Sequence, residues 1–153
     1  MFKVLTEGCT PTRGTKYSAC VDLYSSEDVV IGAGETKIIG LGVAIDEIEL
    51  REIELDYKNN RFLSSHYLQV ALRSSLGKAG LIMPNGVGII DMDYRDEIKV
   101  IIHNPINYDQ YEFEIKKGQR IAQITLLEHK SYLFGIESDV VRNGGLGSTD
   151  TVS

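Results

Sequence analysis

The sequence predicts an all-β domain, a sandwich or barrel with at most one short helix. Three observations carry this. Short apolar segments, mostly four to nine residues long, recur between Gly, Pro and Asn punctuation. They are rich in Ile, Val, Leu and Tyr, which suit a pleated, half-buried surface. Runs of ten or more residues with helical periodicity are hard to find. The 153 residues are enough for one well-packed domain and too few for two ordinary ones, so a single domain over 1–153 is expected.

In chain order, the strand-like segments begin with KVLT (3–6), ACVDLYS (19–25) and TKIIGLGVAI (36–45). A highly charged stretch follows at about 46–65, DEIELREIELDYKNNRFLSS. Its alternation suggests a surface hairpin or an extended strand excursion, although Ile53 and Tyr57 also suit a short helix. YLQVAL (67–72) is again strand-like, and RSSLGKAG (73–80) offers Ser caps and a terminal Gly for the one short helix. GLIM and VGIID flank Pro84-Asn85-Gly86, and Asn-Gly between apolar runs is a strong hairpin signal. EIKVIIHN, RIAQITLLE and SYLFGI complete the strand-like set. The tail from about 142 to 153 is rich in Gly, Ser and Thr, as a flexible terminus would be.

Composition narrows the partners. A net charge of −6 argues against a duplex-binding surface, because phosphate neutralisation needs clustered Lys and Arg. With no Trp and 8% aromatic residues, a stacking platform for single strands is not expected either. A small anionic ligand needs only a few well-placed cations and stays open. Cys9 and Cys20 have no matching His or Cys spacing and read as reduced, structural thiols. No apolar leader and no stretch of about 20 apolar residues is visible, so no membrane association and a cytoplasmic location are expected.

The chemistry is expected at Gly86–Val100, GVGIIDMDYRDEIKV. Asp91 and Asp93 interrupt an apolar run, and on a strand residues two apart face the same side. A carboxylate there can orient and deprotonate a water. The plainer alternative is an internal Asp–Arg ion pair, which accounts for Asp93 and Arg95 more readily than for Asp91. Asn85, six residues before Asp91, carries an amide that can both donate and accept, as reading the edge of a planar base requires. Arg73, Ser74 and Ser75 follow a strand and open a turn, where free N–H groups, two hydroxyls and a guanidinium suit phosphate oxygens. Gln123 has an amide to offer a phosphate. The segment from Arg142 to Thr149 combines a cation, flexible backbone and two hydroxyls, and such a segment can wrap a phosphate and act as a lid. No P-loop is present.

Together, in order and spacing, these segments resemble the five motifs of the trimeric dUTPase family. Ala19-Cys20-Val21-Asp22-Leu23 resembles the first, Arg73-Ser74-Ser75-Leu76 the second, and Gly88 to Arg95 the third. Gly118 to Gln123 and Arg142 to Thr149 resemble the fourth and fifth, so the likeness runs from about Lys3 to Thr149. The resemblance implies a jelly-roll-like, distorted β-barrel, assembled as a homotrimer with C-terminal arm exchange and three shared sites. It implies hydrolysis of dUTP to dUMP and pyrophosphate, with Asp91 orienting the water that attacks the α-phosphorus. Asn85 and its hairpin backbone would read uracil and exclude the thymine methyl, with the backbone of Gly88, Ile89, Ile90 and Lys99 completing the nucleoside pocket. Tyr94 would pack under the deoxyribose and leave no room for a 2′-hydroxyl. Arg73, Ser74, Ser75 and Gln123 would hold phosphates. Asp22 would meet Mg²⁺ through water, and Arg142, Leu146, Gly147, Ser148 and Thr149 would close over the triphosphate.

The sequence departs from that family pattern at several places. Cys20 replaces a usual Gly, and Ser75 replaces another. The fifth motif is one residue shorter, with Leu146 where an aromatic usually stacks on the base; Leu covers the base but lacks a stacking face. The charged insertion at about 46–65 is longer than the usual connection and is the natural place to look for a protein partner. dCTP deaminases share the fold and an RSSL-like segment, but they carry a proton-shuttling Glu where this chain has Ile101. A nucleotide-sensing module without turnover is the third reading; Asp91 with Gln123 and Arg142 argues against lost catalysis.

Overall fold

Among the described residues ten short strands form from runs of three to nine residues rich in Val, Ile and Leu, several of them alternating buried and exposed positions. They are β1 (Phe2–Val4), β2 (Val21–Tyr24), β3 (Val29–Ile31), β4 (Thr36–Gly40), β5 (Val43–Ile45), β6 (His66–Leu72), β7 (Gly88–Asp91), β8 (Lys99–His103), β9 (Phe113–Ile115) and β10 (Arg120–Glu128). The computed structural model describes residues 1–57, 61–107 and 111–142. All pairings are antiparallel: a four-stranded sheet in the order β2-β10-β6-β7, and the pairs β1-β5, β3-β9 and β4-β8. One core, including Leu23, Ile39, Val70, Ile90, Ile102, Ile121 and Ile124, fills the space between them. Among the described residues no helix is long and apolar enough to cross a membrane.

The register of the four-stranded sheet positions the site. Val70, Leu68, Ile90 and Ile124 point into the core, so their sequence neighbours point out. Across the outer face Asp22 stands opposite Gln123 and Gln123 opposite Ala71. Two rows further along, Leu127 stands opposite Tyr67 and Tyr67 opposite Asp91. Asp22 and Asp91 are therefore at diagonal corners of one face. β7 is an edge strand, paired with β6 on one side only among the described residues.

Four local expectations need correction. The 46–65 stretch follows the short-helix alternative rather than the hairpin or strand excursion: α1 spans Glu47–Asp56 and α2 spans Phe62–Ser65. Asp46 caps α1 by accepting from the Ile48 and Glu49 N–H groups at 3.0 and 3.2 Å, and Glu47 and Glu49 lie in the first turn, where acids suit the helix dipole. Leu50 is buried and Ile53 partly so, a helical spacing that outweighs the period-two alternation. The chain thus has more than one short helix.

The helix expected at 73–80 is α3 (Ser74–Lys78), but its N-cap is Arg73, with no side-chain cap, so the serines do not cap it. Pro84 and Asn85 form the middle of a tight turn closed by Gly86 N–H to the Met83 carbonyl at 2.9 Å, with Gly86 at φ +79°. The flanking segments do not pair with each other as a hairpin would: Ile82 bridges to His103, while Gly88–Asp91 pairs with β6. SYLFGI is no strand either; Ser131–Phe134 is a 3-10 turn.

Candidate active site

The Asp91 corner is built by a turn. Tyr94 N–H donates to the Asp91 carbonyl at 3.1 Å, which ends β7 and swings the chain away. Met92 goes into the core, while Asp91 and Asp93 stay exposed. A single guanidinium holds both acids: Arg142 Nη2 lies 2.5 Å from Asp91 Oδ2, and Arg142 Nε lies 3.1 Å from Asp93 Oδ1. The same guanidinium sits over the Tyr94 ring, 5.8 Å from its centroid. The expected Asp93–Arg95 pair is absent. Arg95 instead donates to the Met92 and Tyr94 carbonyls at 2.6 and 3.4 Å and approaches Glu47 of α1 at 3.9 Å. Tyr94 is more covered than expected, 4% exposed, and its hydroxyl donates to the Glu97 carbonyl at 2.8 Å. Burial, with the nearby Asp96 charge behind it, pushes its phenol above the usual value, so it remains a donor.

Asp91 opens onto a cavity of about 550 Å³ that Arg142 and Arg95 also line. It is also lined by Leu63 from α2, His66, His129 and Tyr67, the cross-strand neighbour of Asp91. The inserted segment is thus part of the Asp91 cavity, which no sequence signal indicated. His66 was missed for the same reason. It is buried, stacks on Phe62 at 4.3 Å, and its Nδ1 lies 2.9 Å from Ser65 Oγ and 3.2 Å from the Phe62 carbonyl.

The second corner gathers the expected phosphate ligands. Arg73 Nε lies 3.3 Å from Asp22 Oδ1, and Arg120 Nη1 lies 3.5 Å from Asp22 Oδ2. Asp22, Arg73, Ser74, Gln123 and Cys20 line a cavity of about 420 Å³. Ser75 is exposed and does not line it. Arg120 was not singled out from the sequence; only its register, one strand from Asp22, reveals it. Among the described residues no three His, Cys, Asp or Glu side chains converge as a metal cage. Asp22 is a lone carboxylate facing prospective phosphate donors, a set that fits an ion carried mainly by phosphate oxygens and water.

Other expected residues fall between or beyond the corners. Asn85 is exposed on its turn at the start of the segment leading to β7. Gly88 is buried and an added Cβ would meet the Val70 side chain at 3.3 Å. Ile89, by contrast, lines the Asp91 cavity and is 64% exposed, whereas Ile90 points into the core, so Ile90 can offer a ligand only its backbone. Lys99 opens β8 opposite Gly40 and lines neither cavity. Leu146, Gly147, Ser148 and Thr149 lie outside the described residues.

Comparison with known proteins adds four findings. A family model described as dUTPase matches residues 62–150. A deoxyuridine 5′-triphosphate nucleotidohydrolase from Nautilia profundicola is 40% identical over 152 residues, covering 96% of this chain and 94% of its own. Among solved structures, the dUTPase from Streptococcus mutans superposes with a TM-score of 0.64 at 24% identity, covering 84% of this chain and 95% of that one. A Staphylococcus bacteriophage 80alpha dUTPase mutant with dUpNHpp gives 0.65 at 20% identity, with 94% of each chain covered. With a family model over more than half of its length and a relative this similar along almost all of it, the chain belongs to the dUTPase family.

Proposed function

We propose that this protein hydrolyses dUTP to dUMP and pyrophosphate. The observation that carries the reading is Asp91, an exposed carboxylate at the end of edge strand β7, six residues after Asn85 and three before Tyr94. The edge of β7, unpaired among the described residues, and the Asn85 amide present donors and acceptors suited to a uracil edge. The Asp91 carboxylate accepts a hydrogen bond from water and takes its proton as the water oxygen bonds to the α-phosphorus. The bond from that phosphorus to the α–β bridging oxygen breaks, and the electron pair leaves with pyrophosphate. Arg142 must first release Asp91, and its guanidinium then serves the triphosphate, whose charge replaces the two carboxylates. Ser74, Gln123 and Arg73 hold phosphate oxygens. Asp22 would hold Mg²⁺ through water, and the bound ion would supply charge neutralisation on those oxygens.

The two corners support a site shared between subunits. From Asp22 to Asp91 is three strand spacings and four residues along the sheet, about 19 Å across the face. A phosphorus within reach of an Asp91-held water is out of hydrogen-bond reach of Arg73 and Gln123 in the same chain. A second copy brings its phosphate corner to the first copy's Asp91. Leu133, Phe134, Ile136, Val140 and Val141 are all exposed in the single chain, as an arm that packs on a neighbouring subunit requires. We infer a homotrimer.

The test is incubation with dUTP, dTTP and dCTP in the presence of Mg²⁺, following pyrophosphate and base identity. Hydrolysis confined to dUTP is expected. Conversion of the cytosine base of dCTP to uracil, with release of ammonia, would assign a deaminase, and binding without turnover would assign a sensor.

A further inference from the structure

Glu97 is tied to the Tyr94 ring on one side and to a distant loop on the other. The Tyr94 hydroxyl donates to the Glu97 carbonyl at 2.8 Å. The Glu97 carboxylate crosses 55 residues of sequence to accept the Gly42 N–H at 2.8 Å. The loop between β4 and β5 is shaped for it. A Cβ on Gly40 would come within 2.5–2.7 Å of all three carboxylate atoms. Gly42 adopts φ +68°, where a side chain is strained, and a Cβ there would meet Cys9 at 2.6 Å. Beyond Glu97 the two segments are laced together, Leu41 N–H to the Ile98 carbonyl at 2.9 Å and Ile98 N–H to the Val43 carbonyl at 2.8 Å. A half-buried carboxylate is retained where its hydrogen bond sets a geometry, since desolvating it otherwise only costs free energy.

We propose that Glu97 is a positioning residue for sugar selection: anchored on Gly42 through its carboxylate, it holds the carbonyl that fixes the Tyr94 ring where a 2′-hydroxyl has no room. This rests on the reading above that the Tyr94 ring lies under the deoxyribose. Steric exclusion works only if the wall cannot retreat. With its hydroxyl end free, the ring keeps only its packing in the core and can shift by the fraction of an ångström that sets how closely a sugar approaches. The opposite end of the same turn carries Asp91, so the sugar wall and the catalytic carboxylate share one support.

The readout is the ratio of kcat/KM for dUTP to that for UTP, together with oligomer mass and circular dichroism. Displacements near 1 Å can change rates by about a hundredfold, so Glu97→Ala and Gly40→Ala are each expected to lower the ratio by about tenfold or more. The effect should lie mainly in KM, with UTP becoming a measurable substrate. Glu97→Gln keeps an acceptor for Gly42 N–H and should hold the ratio within about threefold of the parent. Tyr94→Phe removes the anchored hydroxyl without touching the Glu97 loop and should reproduce the loss of discrimination even if Glu97→Ala does not fold. An unchanged ratio in folded Glu97→Ala, or in Tyr94→Phe, overturns the proposal while leaving dUTP hydrolysis intact. Failure of the unsubstituted protein to hydrolyse dUTP would instead overturn the functional reading itself.

Discussion

Arg142 donates to Asp91, Nη2 to Oδ2 at 2.5 Å, across 51 residues of sequence. The contact joins the start of the C-terminal tail to the end of β7. It places a cation on the carboxylate proposed to hold the water, and so occupies it. Arg142 is itself mostly covered, 16% exposed, because it lies against Tyr94 and between two acids. Its departure uncovers Asp91, Asp93 and the Tyr94 ring together.

The two acids should separate in function. Asp91→Asn is expected to reduce kcat by about 10²–10⁴, the usual worth of a positioned general base, while nucleotide binding persists. Asp93→Asn removes one exposed ion pair, worth up to about 1 kcal/mol, so activity should change by no more than about fivefold. Single-turnover hydrolysis and calorimetric binding of a non-hydrolysable analogue measure both. Equal losses in the two variants would contradict the assignment.

Removing the Arg142 guanidinium should weaken substrate handling more than it relieves Asp91. Arg142→Ala loses charge-assisted bonds worth about 1.5–3 kcal/mol, so kcat/KM should fall by roughly 10- to 150-fold. Arg142→Lys keeps a charge without the planar fork and should recover only part of it. An Arg142→Ala variant faster than the parent would make the ion pair purely inhibitory.

Subunit mixing tests the shared site directly. Asp91→Asn and Arg73→Ala proteins should each be nearly inactive, yet unfolding and refolding them together should restore part of the activity. Some mixed sites then combine an intact Asp91 from one chain with an intact Arg73 from another. Light scattering should give a mass near three times 17.0 kDa. A mass of one subunit, or no recovery on mixing, would rule the arrangement out.

The inserted helix should depend on its cap and its one buried anchor. Asp46→Ala is expected to cost about 1 kcal/mol and Leu50→Ala about 2–5 kcal/mol in urea unfolding. Because Leu63 and His66 of this region wall the Asp91 cavity, Leu50→Ala should also raise KM for dUTP.

Much was legible along the chain because it depends on local chemistry. Period-two alternation in HYLQVAL, GIID and KVIIH specified strands with one buried face, and the order of Arg73, Asn85, Asp91 and Gln123 specified the kind of ligand. Two signals misled. EIELREIEL alternates like a strand, but the Asp46 cap and the Leu50–Ile53 spacing make it a helix. Pro84-Asn85-Gly86 has hairpin chemistry, but its flanks belong to different sheets.

By itself, then, the sequence determined an all-β chain and, through the order of Arg73, Asn85, Asp91 and Gln123, the family it belongs to. Only the tertiary structure decided who partners whom. It gave Asp91 and Asp93 to Arg142 instead of Arg95, and it put Arg120 on Asp22. It brought Leu63 to the wall of the Asp91 cavity, anchored Tyr94 through Glu97 and set the two corners on opposite ends of one sheet face. The physical reason is the same in each case. Periodicity and turn chemistry act over a few residues, whereas ion pairs, cavity walls and strand register join residues tens of positions apart, and they exist only once the sheets have closed around the core.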